Sequence, residues 1–258
     1  MRTIRLTLEY DGTRFHGWQR QPGLRTVQGE TEAALAILLR EPVSLHGAGR
    51  TDAGVHALAQ TASFCCAAEL PLERMRRGLD ALTGDDLAVL EAADAEPGFD
   101  ARHSARARHY LYLLLERRSA LWQGRAVPQR GPLDLALLNA AACHLLGEHD
   151  FAAFSCHTPD ERGTDTRVLY AVWQPWSRGL ALRVGAVRFL HKMVRCIVGR
   201  SLEVGRGRVC PDAFRDLLVR PNGRGEPVAP AAGLYLASVD YGDAPAWGPD
   251  CLPHWPVL

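Results

Sequence analysis

The first ten residues alternate without a break. Ile4, Leu6, Leu8 and Tyr10 stand on one side of an extended chain, and Thr3, Arg5, Thr7 and Glu9 stand on the other. Strand side chains point to opposite faces with a period of two, so this pattern specifies a strand with one buried face and one wet face. The alternation returns at Arg106 to Glu116, where Arg106, Arg108, Tyr110 and Tyr112 share one face and Leu111, Leu113 and Leu115 the other. Strands of this kind build sheets that need a second layer over the apolar face.

The rest of the chain supplies that layer. A loop with Gly12, Gly17, Pro22 and Gly23 leads into a helix expected over Val27 to Arg40, with Thr26 placed as N-cap and Ala34, Leu35, Leu38 and Leu39 on its apolar side. Strand-like segments lie near Pro42 to Gly47 and Leu58 to Cys66, and a second helix near Leu72 to Leu82. Past the turn at Gly131–Pro132, Leu133 to Leu146 reads as helical. Two strands, near Arg167 to Trp176 and Leu180 to Phe189, precede helices over Leu190 to Leu202 and Asp212 to Val219. A Pro- and Gly-rich loop, Arg220 to Gly233, leads to a last strand, Leu234 to Tyr241. The expected class is α+β, a mostly antiparallel sheet with helices on one face and the other face free for a ligand. The expected division is an N-terminal half at 1–105, a C-terminal half at 106–241, and a Pro-rich tail at 242–258 in extended coil. No sequence repeat relates the halves.

Composition narrows the partners. No basic–apolar–small leader opens the sequence, and the longest stretch without Asp, Glu, Lys or Arg, Ala53 to Ala68, falls short of the ~20 apolar residues a bilayer span needs. The expectation is a soluble, cytoplasmic protein. The net charge is only +1, but the charges are segregated. Arg14, Arg20 and Arg25 stand between Gly12 and Gly29 with no acid among them, and seven basic side chains from Arg183 to Arg208 face only Glu203. Asp85, Asp86, Glu91, Asp94, Glu96 and Asp100 gather elsewhere. Segregation of this kind can present a phosphate-binding face on a nearly neutral protein. The seven cysteines form no CxxC pair and no Cys/His cluster at zinc spacing, which fits reduced thiols and no metal site.

The most informative segment is Gly47-Ala48-Gly49-Arg50-Thr51-Asp52-Ala53-Gly54-Val55-His56. Glycines on both sides of an Arg-Thr-Asp tripeptide allow close backbone approach and fix a carboxylate and a guanidinium in one loop. A tight connection with a surface ion pair would look the same. A dinucleotide GxGxxG motif is excluded because the third glycine comes too late and no βαβ unit surrounds the loop. The stretch Glu9-Tyr10-Asp11-Gly12-Thr13 lacks the aspartate nucleophile that a phosphatase-type loop requires.

Gly49-Arg50-Thr51-Asp52-Ala53-Gly54-Val55-His56 resembles the signature of the tRNA pseudouridine synthase A family. Four further blocks resemble that family in order: Tyr10 to Thr13 with Gly17 to Gln21 and Thr26 to Gln28; Phe99 to Tyr112; Phe189 to Gly199; and Gly233 to Leu236. The resemblance implies that Asp52 is the catalytic nucleophile, Tyr110 the aromatic residue against the target base, and Arg195 the cation paired with Asp52. It implies that Arg50 fills the gap left by an extruded base. It also implies two sheet-rich halves forming one continuous sheet around a basic cleft, and a homodimer. The implied substrate is uridine on the 3′ side of the tRNA anticodon stem-loop, positions 38–40 of the tRNA.

Pseudouridine formation breaks a C–N glycosidic bond and rejoins the same base through carbon, so the resemblance implies no cofactor. A carboxylate nucleophile divides that step in two through a covalent intermediate. Arg195 falls at the margin of the stripe formed by Leu190, Met193, Val194, Ile197 and Val198, where it can reach a semi-buried partner or stand in solvent. The face shared by Arg106, Arg108 and Tyr110 suits phosphate contact and base stacking, with Tyr112 expected to pack against a helix. A base inside a helix must flip out to be reached. Arg14, Gln19 and Arg20 are expected on the RNA backbone, and Trp18 either there or in the core. His56 is expected to be a structural hydrogen bonder. Asp80, Thr83-Gly84, Asp100, His103, Lys192 and Cys196 depart from the family's usual residues, Cys196 standing where Asn is usual. Two alternatives stay open at this point: a non-catalytic RNA-binding protein on the same scaffold, and a synthase for other RNAs.

Overall fold

A computed structural model describes residues 1–156, 163–219 and 227–242. The Pro-rich tail beyond residue 242, much of the 220–233 loop and half of the poorly matching 155–166 segment therefore lie outside the described residues.

Among the described residues ten strands form one sheet, running β4-β1-β3-β10-β5-β9-β8-β7 with two short strands attached. The N-terminal strands are β1 (Arg2–Tyr10), β2 (His46–Gly47), β3 (His56–Cys66) and β4 (Leu87–Asp94). The others are β5 (Ala107–Leu115), β6 (Val127–Pro128), β7 (Gly147–Asp150), β8 (Asp165–Trp176), β9 (Gly179–Ala186) and β10 (Leu234–Asp240). The five α-helices among the described residues are α1 (Val27–Leu39), α2 (Leu72–Leu82), α3 (Leu135–Cys143), α4 (Met193–Gly205) and α5 (Ala213–Val219). The α+β class and the mostly antiparallel sheet are as expected.

The last strand in sequence lies near the middle of the sheet. β10 pairs parallel with β3, Leu236 opposite Ala57, and antiparallel with β5, Leu236 opposite Tyr110. One row across three strands thus runs Ala57, Leu236, Tyr110. It brings Tyr110 two strands away from a residue only five positions after Asp52.

All five helices bury their apolar sides on one face of the sheet. Val27 and Leu35 of α1, Met75 and Leu79 of α2, Leu138 of α3, Ile197 and Val198 of α4 and Phe214 of α5 share one core with Ile4, Leu6, Leu8, Tyr112 and Val184. The opposite face carries a smaller cluster in which Leu111, Leu113, Leu115 and Tyr235 pack with Trp122. Alternation puts Tyr110 with Tyr112 on the helix-bearing face. This corrects the expected side of the cleft. It opens among the helices, with Gln28 and Glu32 of α1 and Met193 and Val194 of α4 in its lining.

Local signals hold in most elements. Thr26 caps α1 by accepting from the Gly29 N–H, and α2 occupies the expected residues. Three differences have physical causes. The strand expected from Pro42 shrinks to two residues, since Pro42 has no donor to give a ladder. The acidic stretch hides β4, an edge strand whose Leu87 and Val89 are buried while Leu90 and Glu91 are exposed. Helix α4 starts at Met193 rather than Leu190, because Lys192 turns the chain at φ 60°.

Candidate active site

The segment 48–55 joins β2 to β3 and is fastened along its length. The Ala48 N–H donates to the Thr61 carbonyl at 2.8 Å, and Gln60 Nε2 donates to the Gly49 carbonyl at 2.8 Å. The Thr51 and Tyr10 hydroxyls are 2.8 Å apart and buried. Trp18 N–H donates to the Thr51 carbonyl at 3.0 Å, and Gly54 N–H to the Phe15 carbonyl at 3.3 Å. The loop at 12–17 can lie this close because it carries glycine. A Cβ on Gly12 would collide with the Val55 carbonyl, and one on Gly17, at φ 89°, would stand 2.7 Å from the Thr51 carbonyl oxygen.

On this frame Asp52 meets the C-terminal half. Arg195 Nη1 donates to Asp52 Oδ2 at 2.8 Å, while Arg195 Nε donates to the Ala229 carbonyl at 2.8 Å. The second carboxylate oxygen, Oδ1, has His191 Nε2 at 3.6 Å. The side chains of Asp52 and Arg195 are 24% and 15% exposed, so the pair is withdrawn from bulk water yet reachable from the cleft. A guanidinium so placed orients the carboxylate and offsets the cost of holding it in a partly dry site.

Tyr110 stands close by, its ring packed edge-on against Phe189 at 4.9 Å between centroids. Burial pushes its hydroxyl above the usual phenol range, so it is neutral at physiological pH. Asp52, Tyr110, Arg50 and Trp18 line a cleft of about 1030 Å³. A smaller hollow of about 510 Å³, lined by His16, Gln19, Gln21, His191, Lys192 and Arg195, meets it at Asp52. Among the described residues no group of three His, Cys, Asp or Glu side chains could hold a metal ion.

The remaining predicted residues divide into five groups. Gln19, Arg20 and Arg108 line the cleft but are held by protein acceptors. Gln19 Nε2 donates to Gln28 Oε1 at 2.7 Å, and Arg20 lies 3.1 Å from Glu32. Arg108 clamps the carbonyls of Ala48, Arg102, Ala105 and Val187, joining the start of the Asp52 loop to β5 and β9. Trp18 is a core residue, 2% exposed, whose ring forms the cleft wall against Gly47. Arg14 and Arg106 lie outside the cleft: Arg14 pairs with Asp86 at 3.0 Å, and the Arg106 guanidinium sits against Gly242. Arg50 is exposed in the cleft and makes no hydrogen bond or ion pair to any described residue. His56 is structural: it accepts from the Gly12 N–H at 3.1 Å and stacks on Tyr235. Tyr112 also packs, its hydroxyl donating to the Pro230 carbonyl at 2.9 Å.

Comparison with known proteins decides the family. A family profile described as tRNA pseudouridine synthase matches residues 7–104 and 141–242, most of the chain. The tRNA pseudouridine synthase A of Chlorobaculum tepidum is 44% identical over 244 residues, covering 93% of this chain and 98% of the relative. That of Geobacter sulfurreducens is 43% identical over 244 residues, covering 93% and 100%. The chain belongs to the tRNA pseudouridine synthase family. Among solved structures, the archaeal box H/ACA sRNP Nop10-Cbf5 complex aligns with a TM-score of 0.35 at 15% identity, over 77% of this chain and 44% of that one.

As a member of that family this synthase is an isomerase. Two side chains beside its Asp52 escaped the sequence reading. His191 lies within the Phe189 to Gly199 block, yet nothing in a linear pattern shows that it turns toward a carboxylate 139 positions earlier in the chain. Lys192 carried a signal that was noticed only as a departure, since it is the chain's sole lysine.

Proposed function

We propose that this synthase converts uridine to pseudouridine on the 3′ side of the tRNA anticodon stem-loop, with Asp52 as nucleophile. The observation that carries the reading is the Asp52 carboxylate held on one oxygen by Arg195 at 2.8 Å, in a cleft that Tyr110 also lines. The names of the relatives support tRNA as the substrate.

The target nucleotide flips out of its stack, at a cost of roughly a few kcal/mol, and enters the cleft, with its base against Tyr110. Arg50, which has no partner among the described residues, takes the vacated place in the stack. Asp52 attacks the nucleotide at uracil C6 or ribose C1′ and forms a covalent adduct. The glycosidic bond breaks, the base turns, and a C5–C1′ bond forms. By either route the hydrogen on C5 leaves and Asp52 is released. Arg195 orients the carboxylate before attack and receives it again on release, the electrostatic task a preorganised cation performs well in a partly dry site.

The same proposal includes a homodimer in which one tRNA touches both subunits, acting in the cytoplasm. Among the described residues no helix is long and apolar enough to cross a membrane. The division near residue 105 also belongs to it, supported by the two separate stretches that match the family.

The test is tritium release from a tRNA transcript carrying 5-tritiated uridine, with wild type and Asp52→Ala side by side. Release by wild type alone is expected, mapped to the 3′ side of the anticodon stem-loop. Equal release from both proteins would remove Asp52 from the chemistry. Release from uridines elsewhere would overturn the assignment of position.

A further inference from the structure

We propose that Lys192 is a substrate-positioning residue whose ammonium binds a backbone phosphate of the RNA next to the nucleotide held at Asp52. The proposal rests on the reading of Asp52 as the nucleophile acting on tRNA, and three independent observations carry it.

The first is place. Lys192 lines both the cleft and the adjoining hollow, and Asp52 and His191 line both with it. It therefore stands where the two spaces join beside the nucleophile.

The second is the state of its charge. Three other cations that line the same two spaces serve the protein. Arg195 holds Asp52 and the Ala229 carbonyl, Arg108 holds four carbonyls, and Arg188 holds the carbonyls of Gly163 and Asp165. The Lys192 ammonium makes no hydrogen bond or ion pair to any described residue, although the side chain is only partly exposed. Asp52, the carboxylate that lines the adjoining hollow with it, is already engaged by Arg195. An ammonium with three unmet donors and no anion bound to it among the described residues calls for an anion from the substrate, and each nucleotide of RNA brings one phosphate.

The third is the backbone. Lys192 lies at φ 60°, ψ 11°, and among the described residues Arg40 is the only other non-glycine residue with positive φ. Arg40 follows the last turn of α1, where a left-handed residue is an ordinary helix ending. Lys192 instead precedes α4 and makes no side-chain capping bond. A residue with a Cβ is held in this region only when its surroundings impose it, and such positions concentrate at functional sites.

The choice of lysine fits the place. Every other basic residue among the 30 is arginine. An arginine here would present a second planar fork to Asp52, whose Oδ1 has only His191 at 3.6 Å, and would tie down the oxygen needed for attack. An ammonium is a point charge that satisfies a phosphate oxygen without that bidentate competition.

The test uses the full chain and a tRNA transcript. Binding is measured as a function of salt for wild type, Lys192→Gln and Lys192→Arg, with Arg77→Gln on the outer surface of α2 as control. Losing one phosphate contact should reduce the slope of log K against log salt by roughly 0.7–0.9. Lys192→Gln should show that reduction and raise KM more than it lowers kcat. Lys192→Arg should keep the slope and lower kcat, because the guanidinium competes for Asp52. Arg77→Gln should leave the slope unchanged. An amine-acylating reagent provides a second readout. With one lysine per chain, mass spectrometry reads its modification directly, and bound tRNA should protect it. An unchanged slope in Lys192→Gln together with unprotected labelling would overturn the proposal. The salt slope is read from binding alone, so it stands or falls separately from tritium release, whose absence in wild type would instead remove the proposed reaction.

Discussion

Two stretches of chain meet at Asp52, and they are held in opposite ways. The loop 48–55 is tied by Tyr10, Trp18, Gln60, Thr61 and Phe15, and most of these partners are buried. The run from β9 to α4 is tied through its backbone, with Val187 N–H on the Arg167 carbonyl at 3.0 Å and Cys156 N–H on the His191 carbonyl at 3.3 Å, while the Lys192 side chain reaches the cleft with no described partner. The contrast separates two tasks. A nucleophile needs its geometry set before the substrate arrives, since small displacements of reacting groups cost large factors in rate. A cation that meets a polymer of phosphates gains from a long side chain left uncommitted until it binds. The rigid part of this site is therefore its backbone frame with Asp52 and Arg195, and the adaptable part is the side chains of Arg50 and Lys192.

Arg195 is the point where the fastened region touches the other, and altering it should have the largest effect. Arg195→Met keeps much of the apolar stem but removes the donor at 2.8 Å from Asp52. Turnover should fall by roughly 10²–10³-fold, the order seen when a preorganised electrostatic group is lost. tRNA affinity should change only a few-fold. A single-turnover rate within about threefold of wild type would break the claim that Asp52 depends on this pair.

Tyr10→Phe should come next. It leaves the buried Thr51 hydroxyl without its partner at 2.8 Å, which costs about 1–2 kcal/mol in the denaturant midpoint. Burial pushes the Tyr10 hydroxyl up to about 12, so it stays a neutral hydrogen-bonding group across the working pH range. Arg50→Ala sharpens the comparison from the other side. Arg50 is exposed and has no described partner, so stability should move by less than about 0.5 kcal/mol while tRNA turnover drops about tenfold. If Arg50→Ala destabilised the protein as much as Tyr10→Phe, the division between anchored and free groups would fail.

Much of this was legible in the sequence because it is local. The alternation of Ile4, Leu6, Leu8 and Tyr10 determines which side of β1 is buried, and Thr26 marks the start of α1 by a bond only three residues long. The pairing of Asp52 with Arg195 spans 143 residues, and it came from a resemblance between ordered blocks rather than from periodicity. What was not legible depends on register and direction. Whether Arg108 meets RNA or clamps four carbonyls is decided by which loops lie over β5, and strand alternation gives only its face. Arg14 and Arg20 looked alike in one loop, yet Asp86 draws one away while the other faces the cleft beside Glu32. The edge strand β4 was hidden because an exposed strand carries charge on both faces.

The smallest predicted effect asks how far the anchoring of the fastened region extends. Behind the 12–25 loop, Arg25 binds both oxygens of Asp86 at 2.7 and 2.8 Å and also reaches Glu30, while Arg14 adds a bond to Asp86 at 3.0 Å. Hydrogen bonds from Arg25, with added attraction from Arg14, hold the Asp86 carboxyl below the usual carboxylate range. A carboxyl whose value is lower folded than unfolded stabilises the protein above its unfolded value, near 3.9 for aspartate, and loses that contribution as pH falls through the folded value. Wild type should therefore lose stability more steeply than Asp86→Asn below about pH 4, with the two curves parallel above about pH 5. The pair lies near the surface, so added salt should shrink the difference. Denaturant melts from pH 3 to 7 would show this, and identical acid slopes would mean that Asp86 contributes nothing to the anchoring. At neutral pH Asp86→Asn should lower stability slightly and leave kcat nearly unchanged, because Trp18 and Phe15 still reach the Asp52 loop through their own backbone bonds. A kcat loss of about tenfold or more would show instead that the nucleophile is held from as far away as the turn before β4.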